Sequence, residues 1–332
     1  MSGGHYLGQL PVSPAYGRVD ALLQSGGCVL LDGGIATELQ RVRSEDRAQR
    51  REPWGTWALF RGPMEVLEVH RRYVASGCDV ISTNTWSVLE AADESDEESG
   101  SGGRTPLWLD ASRLGVRLAR RAIAEAGREA ECSAAFCINS SLIDERASGR
   151  LELLSWMWTE EAPDLVILET LETIPDEAVL QTIEMLCDTG LPVWVSFRRR
   201  KDGMSTVGGQ VVPDSDGNAF AQALEQMRGI GVDAVLVNCV PTEHLDVTMR
   251  WLHEQTPLPI GCYPNLGHSA GSHWEFDSEI GPREYARLAE SWVSSGARIV
   301  GGCCGVTPEH VAALREVVMS VSESPAALET GN

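Results

Sequence analysis

The stretch Ala297-Arg-Ile-Val-Gly-Gly-Cys303-Cys304-Gly305 joins a short apolar run to glycines and two adjacent cysteines. The next residues, Val306-Thr307-Pro308-Glu309, predict a helix start, with threonine at the N-cap and proline at the first helical position. The cysteines therefore lie where a buried strand ends and a helix begins. Adjacent cysteines do not readily form a disulfide with each other, because the small ring is strained. We expect these two thiols to have another role.

A strand followed by a helix recurs along the whole chain. Helical patterns such as those at 63–75 and 107–126 separate apolar runs that are typical of parallel strands covered on both faces. Eight such units, without a long antiparallel segment between them, predict an α/β fold, a (β/α)8 TIM barrel. An open doubly wound sheet is the alternative. The apolar runs lie at 28–34, 79–86, 132–139, 164–170, 192–197, 234–239, 258–265 and 297–305.

We expect one domain over residues 1–332, because no linker divides the chain. The barrel is predicted at 16–321, between a flexible arm at 1–15 that is rich in Gly, Pro and Ser and a loose tail at 322–332. The stretch at 90–103 is acidic, rich in Ser and Gly and nearly free of large apolar residues, which predicts a mobile loop.

The composition excludes several classes of function. A formal net charge of −21 argues against binding to nucleic acid or anionic membranes, which requires clustered Lys and Arg. The chain has no run of 18 apolar residues that would predict a membrane span, and its first residues do not resemble a secretory signal. Nine cysteines, an odd number in a long chain, are typical of reduced intracellular thiols. We therefore expect a cytoplasmic protein, whereas its oligomeric state stays open.

Active sites of TIM barrels lie at the carboxyl ends of the strands. Cys239 follows strand 6, and Cys303 with Cys304 follows strand 8, so these thiols flank strand 7 and could converge. Three thiolates with one open position are typical of a catalytic zinc site, although a buried cysteine is more often a small apolar residue. Read in order, the strand ends are Asp32, Asn84 with Thr85, Asn139, Glu169, Ser196, Cys239, Asn265, and Cys303 with Cys304.

Other polar residues at the strand ends have alternative interpretations. Glu169 follows four apolar residues, and an unpaired buried carboxylate is costly, which favours a functional role; Glu172 could take that role instead. Asp32 precedes two glycines and could belong to a turn. Trp274 could form a wall of the substrate pocket or merely pack in the core.

The motifs taken together resemble the homocysteine S-methyltransferase family, over residues from about Leu30 to Val318. The Asn-Cys pair and the Gly-Gly-Cys-Cys-Gly stretch of this chain are the most specific of these motifs. The matching segments are Leu-Asp32-Gly33-Gly-Ile-Ala-Thr37-Glu38-Leu39, Ile-Ser-Thr83-Asn84-Thr85, Asp-Leu-Val-Ile-Leu-Glu169-Thr, Val-Asn238-Cys239, Tyr263-Pro264-Asn265 and Gly301-Gly-Cys303-Cys304-Gly-Val-Thr-Pro-Glu-His.

The resemblance implies a zinc-containing barrel that transfers a methyl group from a small cationic donor to the thiol of homocysteine. S-methylmethionine, S-adenosylmethionine and betaine are such donors. It implies Cys239, Cys303 and Cys304 as ligands of Zn²⁺, which would make the substrate thiol nucleophilic by deprotonating it. It also implies Asp32 and Glu169 near the substrate amino group. The substrate carboxylate would bind backbone N–H groups or the hydroxyls of Thr83 and Thr85, and Asn84 and Asn265 complete the predicted substrate-binding set.

The chain departs from the family pattern at the rim, where substrate is selected. Strand 3 ends in Phe136-Cys-Ile-Asn-Ser-Ser141, the Tyr-Pro-Asn motif is followed by Leu266-Gly-His268, and strand 5 is followed by Arg198-Arg-Arg-Lys201. The basic run could contact an anionic group or be a solvated surface. These differences leave open a paralogue that methylates or demethylates another thiol or selenol. A non-catalytic metal-binding barrel is the alternative from a different class.

Overall fold

The computed structural model describes residues 10–42, 55–90, 107–205, 210–214, 217–270, 273–277 and 279–323. Eight parallel strands form one sheet, in which every strand pairs with its neighbours in the chain. In chain order, β1 to β8 are Val29–Leu30, Val80–Ser82, Ser133–Asn139, Leu165–Leu171, Val193–Phe197, Ala234–Asn238, Ile260–Tyr263 and Ile299–Val300.

The sheet closes on itself. Strand β1 pairs with β8 on one side, and a parallel bridge between Leu31 and Val80 joins it to β2 on the other. Two backbone hydrogen bonds support this seam, from Asp79 N to Leu30 O at 2.7 Å and from Asp32 N to Val80 O at 3.1 Å. The predicted TIM barrel is therefore confirmed, and the doubly wound sheet is excluded, because its sheet would be open.

Helices surround the barrel and follow the predicted pattern. The helices at 63–75 and 107–125 agree with the sequence prediction to within one residue. No helix in the described ranges is long and apolar enough to span a bilayer. The helices of eight or more residues are Pro14–Gln24, Ile35–Val42, Pro63–Ala75, Leu107–Glu125, Ala147–Glu160, Glu177–Cys187, Asn218–Ile230, Leu245–Gln255, Pro282–Ser294 and Pro308–Glu323.

The helix Pro14–Gln24 was not predicted from the sequence, which placed its first two residues in a flexible arm. Ser13 caps it by accepting a hydrogen bond from Tyr16 N at 3.1 Å, and Pro14 begins it. Tyr16 packs with the residues that fill the barrel interior, and its hydroxyl accepts a hydrogen bond from Trp194 Nε1 at 3.1 Å. Residues 1–9 of the predicted arm, 91–103 of the acidic loop and 324–332 of the tail lie outside the described residues.

Short antiparallel strands, each of two or three residues, interrupt two of the strand–helix units at the rim, and they were not predicted from the sequence. A three-stranded sheet follows β5, formed by Arg199–Arg200, Gly203–Ser205 and Val211–Pro213. A hairpin of His268–Ala270 and His273–Glu275 follows β7. Both excursions lie after the carboxyl end of a strand, so they extend the walls around the barrel mouth.

The glycines of the stretch 297–305 allow close packing of protein against protein. A Cβ atom on Gly301 would lie 2.4 Å from Leu31 Cβ, so this glycine lets β8 approach β1. Gly305 has a φ of +83°, and a Cβ atom there would lie only 1.6 Å from Leu266 O. These residues therefore set how closely β8 and its loop pack against β1 and the loop after β7.

Three aspartates clamp pairs of strands at the amino end of the barrel. Asp79, Asp164 and Asp233 each precede an even-numbered strand and bond reciprocally with one residue of the strand before it. The aspartate N–H donates to that residue's carbonyl at 2.7 to 2.9 Å, and the carboxylate accepts from the same residue's N–H at 2.7 to 2.9 Å. Asp79 alone of the three also pairs with two arginines, Arg18 at 2.8 Å and Arg315 at 3.9 Å.

Replacing Asp79 should weaken the fold, since this buried carboxylate clamps the barrel seam. We expect Asp79→Ala to lower the free energy of unfolding by about 2–4 kcal/mol, because it leaves Leu30 N–H without its acceptor and removes the negative charge beside Arg18 and Arg315. Denaturant unfolding monitored by circular dichroism measures the loss. Asp233→Ala is the matched control, since it removes the same reciprocal bond at an exposed position, and it should cost less. Equal losses in the two variants would contradict a special role for Asp79.

Candidate active site

A cavity of about 860 Å³ opens at the carboxyl ends of the barrel strands, and every strand end or the loop after it contributes to its walls. This is the end at which TIM barrels carry their active sites. Eight of the nine residues predicted from the sequence line it, namely Asp32, Thr83, Asn84, Glu169, Cys239, Asn265, Cys303 and Cys304.

Three thiols converge on one side of this cavity. The Sγ atoms of Cys239, Cys303 and Cys304 all lie within 4.8 Å of one another, and the pair from adjacent residues is separated by 3.9 Å. Cys239 has a φ of +52°, in the left-handed region that residues with a Cβ atom rarely adopt and that is enriched at functional sites. All nine cysteines of the chain are free thiols.

The electrostatics of this cluster favour one thiolate. Hydrogen bonds from Cys303 and Cys304 lower the pKa of the Cys239 thiol well below its usual range, and the positive charge of Arg198 and a bond from Asn265 act in the same direction. The bond to Cys239 raises the pKa of Cys303 and of Cys304. Asn265 Nδ2 donates to Cys239 Sγ at 3.6 Å.

The donor set fits a zinc ion. Zinc prefers thiolate ligands in tetrahedral geometry with Zn–S distances of about 2.3 Å, which places sulfur atoms about 3.8 Å apart. The sulfur atoms of Cys303 and Cys304 lie 3.9 Å apart, close to this value. Asn265 would be an outer partner of the Cys239 thiolate, and such partners orient metal ligands. Of the remaining buried cysteines, Cys137 also lines the cavity, beside Glu169. The others do not line it and are consistent with small apolar residues, namely Cys28, Cys78, Cys132 and Cys262.

Asp32 lies at the end of β1 and is nearly fully buried. Its carboxyl oxygens accept hydrogen bonds from Ser82 N at 2.7 Å and from Ser82 Oγ at 2.9 Å. Burial raises its pKa to about 7, although the bonds from Ser82 oppose the shift. Asp32 is therefore partly protonated near neutral pH and would gain from a cation in the cavity.

Glu169 begins a chain of polar side chains that crosses four strands. Its Oε1 lies 3.0 Å from the hydroxyl of Tyr263, which lies 2.7 Å from Ser196 Oγ. Ser196 donates to Asn238 Oδ1 at 2.8 Å, and Asn238 Nδ2 donates to Thr170 Oγ1 at 2.8 Å. Neither Tyr263 nor Asn238 was assigned a role from the sequence, although both lie in the motifs Tyr-Pro-Asn and Asn-Cys.

The protonation of Glu169 follows from this chain of bonds. The hydroxyl of Ser196 donates its hydrogen bond to Asn238. The hydroxyl of Tyr263 has a single proton and can donate a hydrogen bond either to Ser196 or to Glu169. If Glu169 is protonated, it can donate to Tyr263, and the hydroxyls of Tyr263 and Ser196 then each have both a donor and an acceptor. Burial, with the charges of Asp32 and Cys239, raises the pKa of Glu169 to about 8, against a bond from Tyr263 that lowers it.

The polar residues after β2 have different surroundings. Thr83 Oγ1 lies 2.6 Å from Thr85 Oγ1, and Thr85 donates to Cys137 O at 2.7 Å. Thr85 is fully buried and does not line the cavity, so its hydroxyl connects β2 to β3 instead. Asn84 lines the cavity but uses its Nδ2 to bond Gly55 O at 2.8 Å.

Two residues with alternative interpretations can now be placed. Trp274 both packs and lines the cavity, since it is largely buried while its Nε1 donates to Leu266 O at 2.8 Å. Glu172 lines the cavity, has 30% of its side chain exposed and lies 3.6 Å from Arg198 Nη1. Glu169, rather than Glu172, joins the chain of polar side chains that leads to Asn238.

Comparison with known proteins gives consistent results. A family model described as homocysteine S-methyltransferase matches residues 29–318. Homocysteine S-methyltransferase 1 of Zea mays is 26% identical, over 90% of this chain and 97% of its own. Selenocysteine Se-methyltransferase of Brassica oleracea var. italica is 25% identical, over 92% of this chain and 93% of its own. The metallated form of the Escherichia coli homocysteine methyltransferase MmuM has the same fold, with a TM-score of 0.64 and 23% identity over 90% of this chain and 98% of that one.

The raised pKa of Glu169 should make stability fall as pH rises. A carboxyl whose pKa is about 8 when folded and about 4 when unfolded binds a proton more tightly in the folded state, so its contribution is full below pH 4 and is lost by pH 8. Glu169→Gln mimics the protonated acid. In metal-free, reduced protein it should match the wild type near pH 4.5 and exceed its unfolding free energy by about 2 kcal/mol or more at pH 8.5. A constant difference between the two proteins across this range would contradict the shift.

Proposed function

The chain belongs to the homocysteine S-methyltransferase family, and we propose that this methyltransferase depends on zinc and methylates the thiol of homocysteine to form methionine. The methyl donor would be a small sulfonium or ammonium compound. The convergence of three thiols in the cavity supports this assignment most strongly, because the same atoms fit a zinc ion that keeps one position open for a substrate thiol.

Cys239, Cys303 and Cys304 would hold the metal. A bound zinc ion would lower the pKa of a coordinated substrate thiol, and the thiolate is the nucleophilic form. Methyl transfer then requires no general base from the chain. Its own residues would instead bind the two substrates close together and in line, which can supply much of the rate.

Asp32 and Glu169 would bind the α-ammonium group of the acceptor. Burial keeps both carboxyl groups partly protonated in the free protein, and an arriving cation would displace their protons and pair with the carboxylates. Tyr263 could then turn its proton from Ser196 to Glu169, since it lies within hydrogen-bonding distance of both. The site would thereby accept a cation without leaving an unpaired buried charge.

Selenocysteine is a second candidate acceptor. Curated relatives that methylate it resemble this chain about as closely as those that methylate homocysteine, at 25% and 26% identity. A selenol is a soft ligand like a thiol, so the same three cysteines would suit both acceptors. We also propose a cytoplasmic location, in which nine free thiols would remain reduced.

Zinc content tests the metal assignment. We expect about one zinc ion per chain in protein purified under reducing conditions, measured by atomic emission, and formation of methionine from homocysteine with one of the small donors. Cys304→Ser should lose most of the zinc and the activity, because it removes one of three ligands. Cys187→Ser, at a half-buried free thiol on an outer helix, is the matched control and should keep both. Protein without zinc, or zinc that survives Cys304→Ser, would overturn the assignment. Bound zinc without turnover of any thiol or selenol would instead favour a non-catalytic barrel.

Proton release tests the ammonium assignment without any chemistry at the thiol. Methionine, the product, carries the same ammonium group, and its binding at pH 7 should release about one proton from Asp32 and Glu169. Calorimetry in two buffers of different ionisation enthalpy measures this number. Glu169→Gln should release fewer protons and bind methionine about tenfold more weakly or worse. Binding that releases no proton in the wild type would contradict this role of the two carboxyl groups.

A further inference from the structure

Arg198 enters the cavity at a position where the sequence departs from the family pattern. It directly follows β5, lines the cavity, and its side chain is 13% exposed. Its N–H donates to Leu171 O at 2.8 Å, so it is anchored beside the end of β4, two residues after Glu169. Arg198 therefore belongs to the same cavity wall as the end of β4, which carries Glu169 of the proposed ammonium subsite.

The guanidinium of Arg198 lacks a good partner within the described part of the chain. Its one ion pair there is to Glu172 Oε1 at 3.6 Å, too long for a hydrogen bond, and its buried Nε makes no hydrogen bond. An arginine offers five N–H donors in a planar fork that matches a carboxylate, and a buried charge without hydrogen bonds is costly. Such a group is suited to an anionic ligand.

The neighbouring arginine is held in a different way. Arg199 is fully buried, its guanidinium carbon lies 4.1 Å and 4.3 Å from the ring centres of Phe220 and Trp251, and it pairs with Asp214 at 3.1 Å. Successive residues of an extended chain point to opposite sides. Because the side chain of Arg199 is buried on the side away from the cavity, the side chain of Arg198 points to the opposite side, into the cavity.

We propose that Arg198 binds a substrate carboxylate and thereby restricts this enzyme to ligands that carry one. The inference rests on the proposed function. The cavity would then hold a zwitterion between charges of opposite sign, with Asp32 and Glu169 on the ammonium group and Arg198 on the carboxylate. The carboxylate belongs either to the acceptor amino acid or to the methyl donor, and both sources present the same chemistry.

The test compares paired substrates that differ only in the carboxylate. Zinc-loaded wild type and Arg198→Gln are assayed with homocysteine and with 3-aminopropane-1-thiol as acceptors. They are then assayed with S-methylmethionine and with dimethyl(3-aminopropyl)sulfonium as donors. We expect Arg198→Gln to lower kcat/KM about 10- to 100-fold for the carboxylate-bearing member of one pair and to leave the other member within about twofold. For each pair, the ratio of kcat/KM with the carboxylate to kcat/KM without it measures the carboxylate preference. The pair whose ratio falls in Arg198→Gln identifies whether the acceptor or the donor carries the bound carboxylate.

Three further variants separate carboxylate binding from a general effect of charge in this turn. Arg198→Lys keeps the charge without the fork and should recover only part of the ratio. Lys201→Gln, at an exposed residue of the same turn, should behave as the wild type. If Arg198 merely neutralises Glu172, the double variant Arg198→Gln with Glu172→Gln will regain the wild-type ratio, and the proposal is overturned.

Two remaining outcomes also decide the matter. If Arg198 acts by stabilising the thiolates, Arg198→Gln will slow every substrate equally, and unchanged ratios in both pairs overturn the proposal. If the wild type turns over no thiol at all, the proposed function is wrong. In that case the carboxylate preference is measured by calorimetry, as the affinity for methionine relative to that for 3-(methylthio)propylamine. The wild type should bind methionine more tightly, whereas Arg198→Gln should bind the two ligands about equally.

Discussion

The convergence of three sulfur atoms from two strands is the constraint on which the rest of this site depends. Cys239 follows β6, whereas Cys303 and Cys304 follow β8. The residues of β7, which lies between these two strands, must therefore be small enough to let β6 and β8 approach each other. Gly261 of β7 meets this need, because a Cβ atom there would lie 2.4 Å from Ile299 O and 2.7 Å from Leu236 Cδ2. A larger residue would force the strands apart, and the sulfur atoms with them.

The cavity brings the cluster of three thiols together with the buried carboxyl groups of Asp32 and Glu169, and so concentrates groups that become negative when they lose protons. The structure limits their mutual repulsion with hydrogen bonds and retained protons. Hydrogen bonds within the cluster lower the pKa of Cys239 and raise those of Cys303 and Cys304, and burial raises the pKa of Glu169 to about 8. The chain of hydroxyls and an amide from Tyr263 to Thr170 accommodates the proton of Glu169 and can rearrange when it leaves. Metal binding and cation binding would each replace protons, so the cavity of the free protein carries less charge than its composition indicates.

The sequence predicted those features that follow from strand order and periodicity. The eight strands, the barrel and the meeting of Cys239 with Cys303 and Cys304 all depend on which residues end each strand. Thr83 and Thr85 could not be separated in this way, because only side-chain direction shows that Thr85 faces away from the cavity. The chain of bonds through Tyr263 and Ser196 joins residues 67 positions apart, and its geometry depends on the register of four strands. The helix Pro14–Gln24 was missed although Ser13 and Pro14 form a start signal, since its packing partner Trp194 lies far along the chain.

The strands divide the recognition of the substrate among them. In the proposed assignment, β6 and β8 hold the metal, β1 and β4 supply the carboxyl groups, and the loop after β5 supplies Arg198. Arg198 acts on the thiols through its positive charge, which lowers the pKa of Cys239. It makes no hydrogen bond to the thiols or carboxyl groups of the described residues, and its backbone is held by Leu171. A substitution at this position can therefore alter which ligand the cavity accepts while the thiols and the carboxyl groups stay in place.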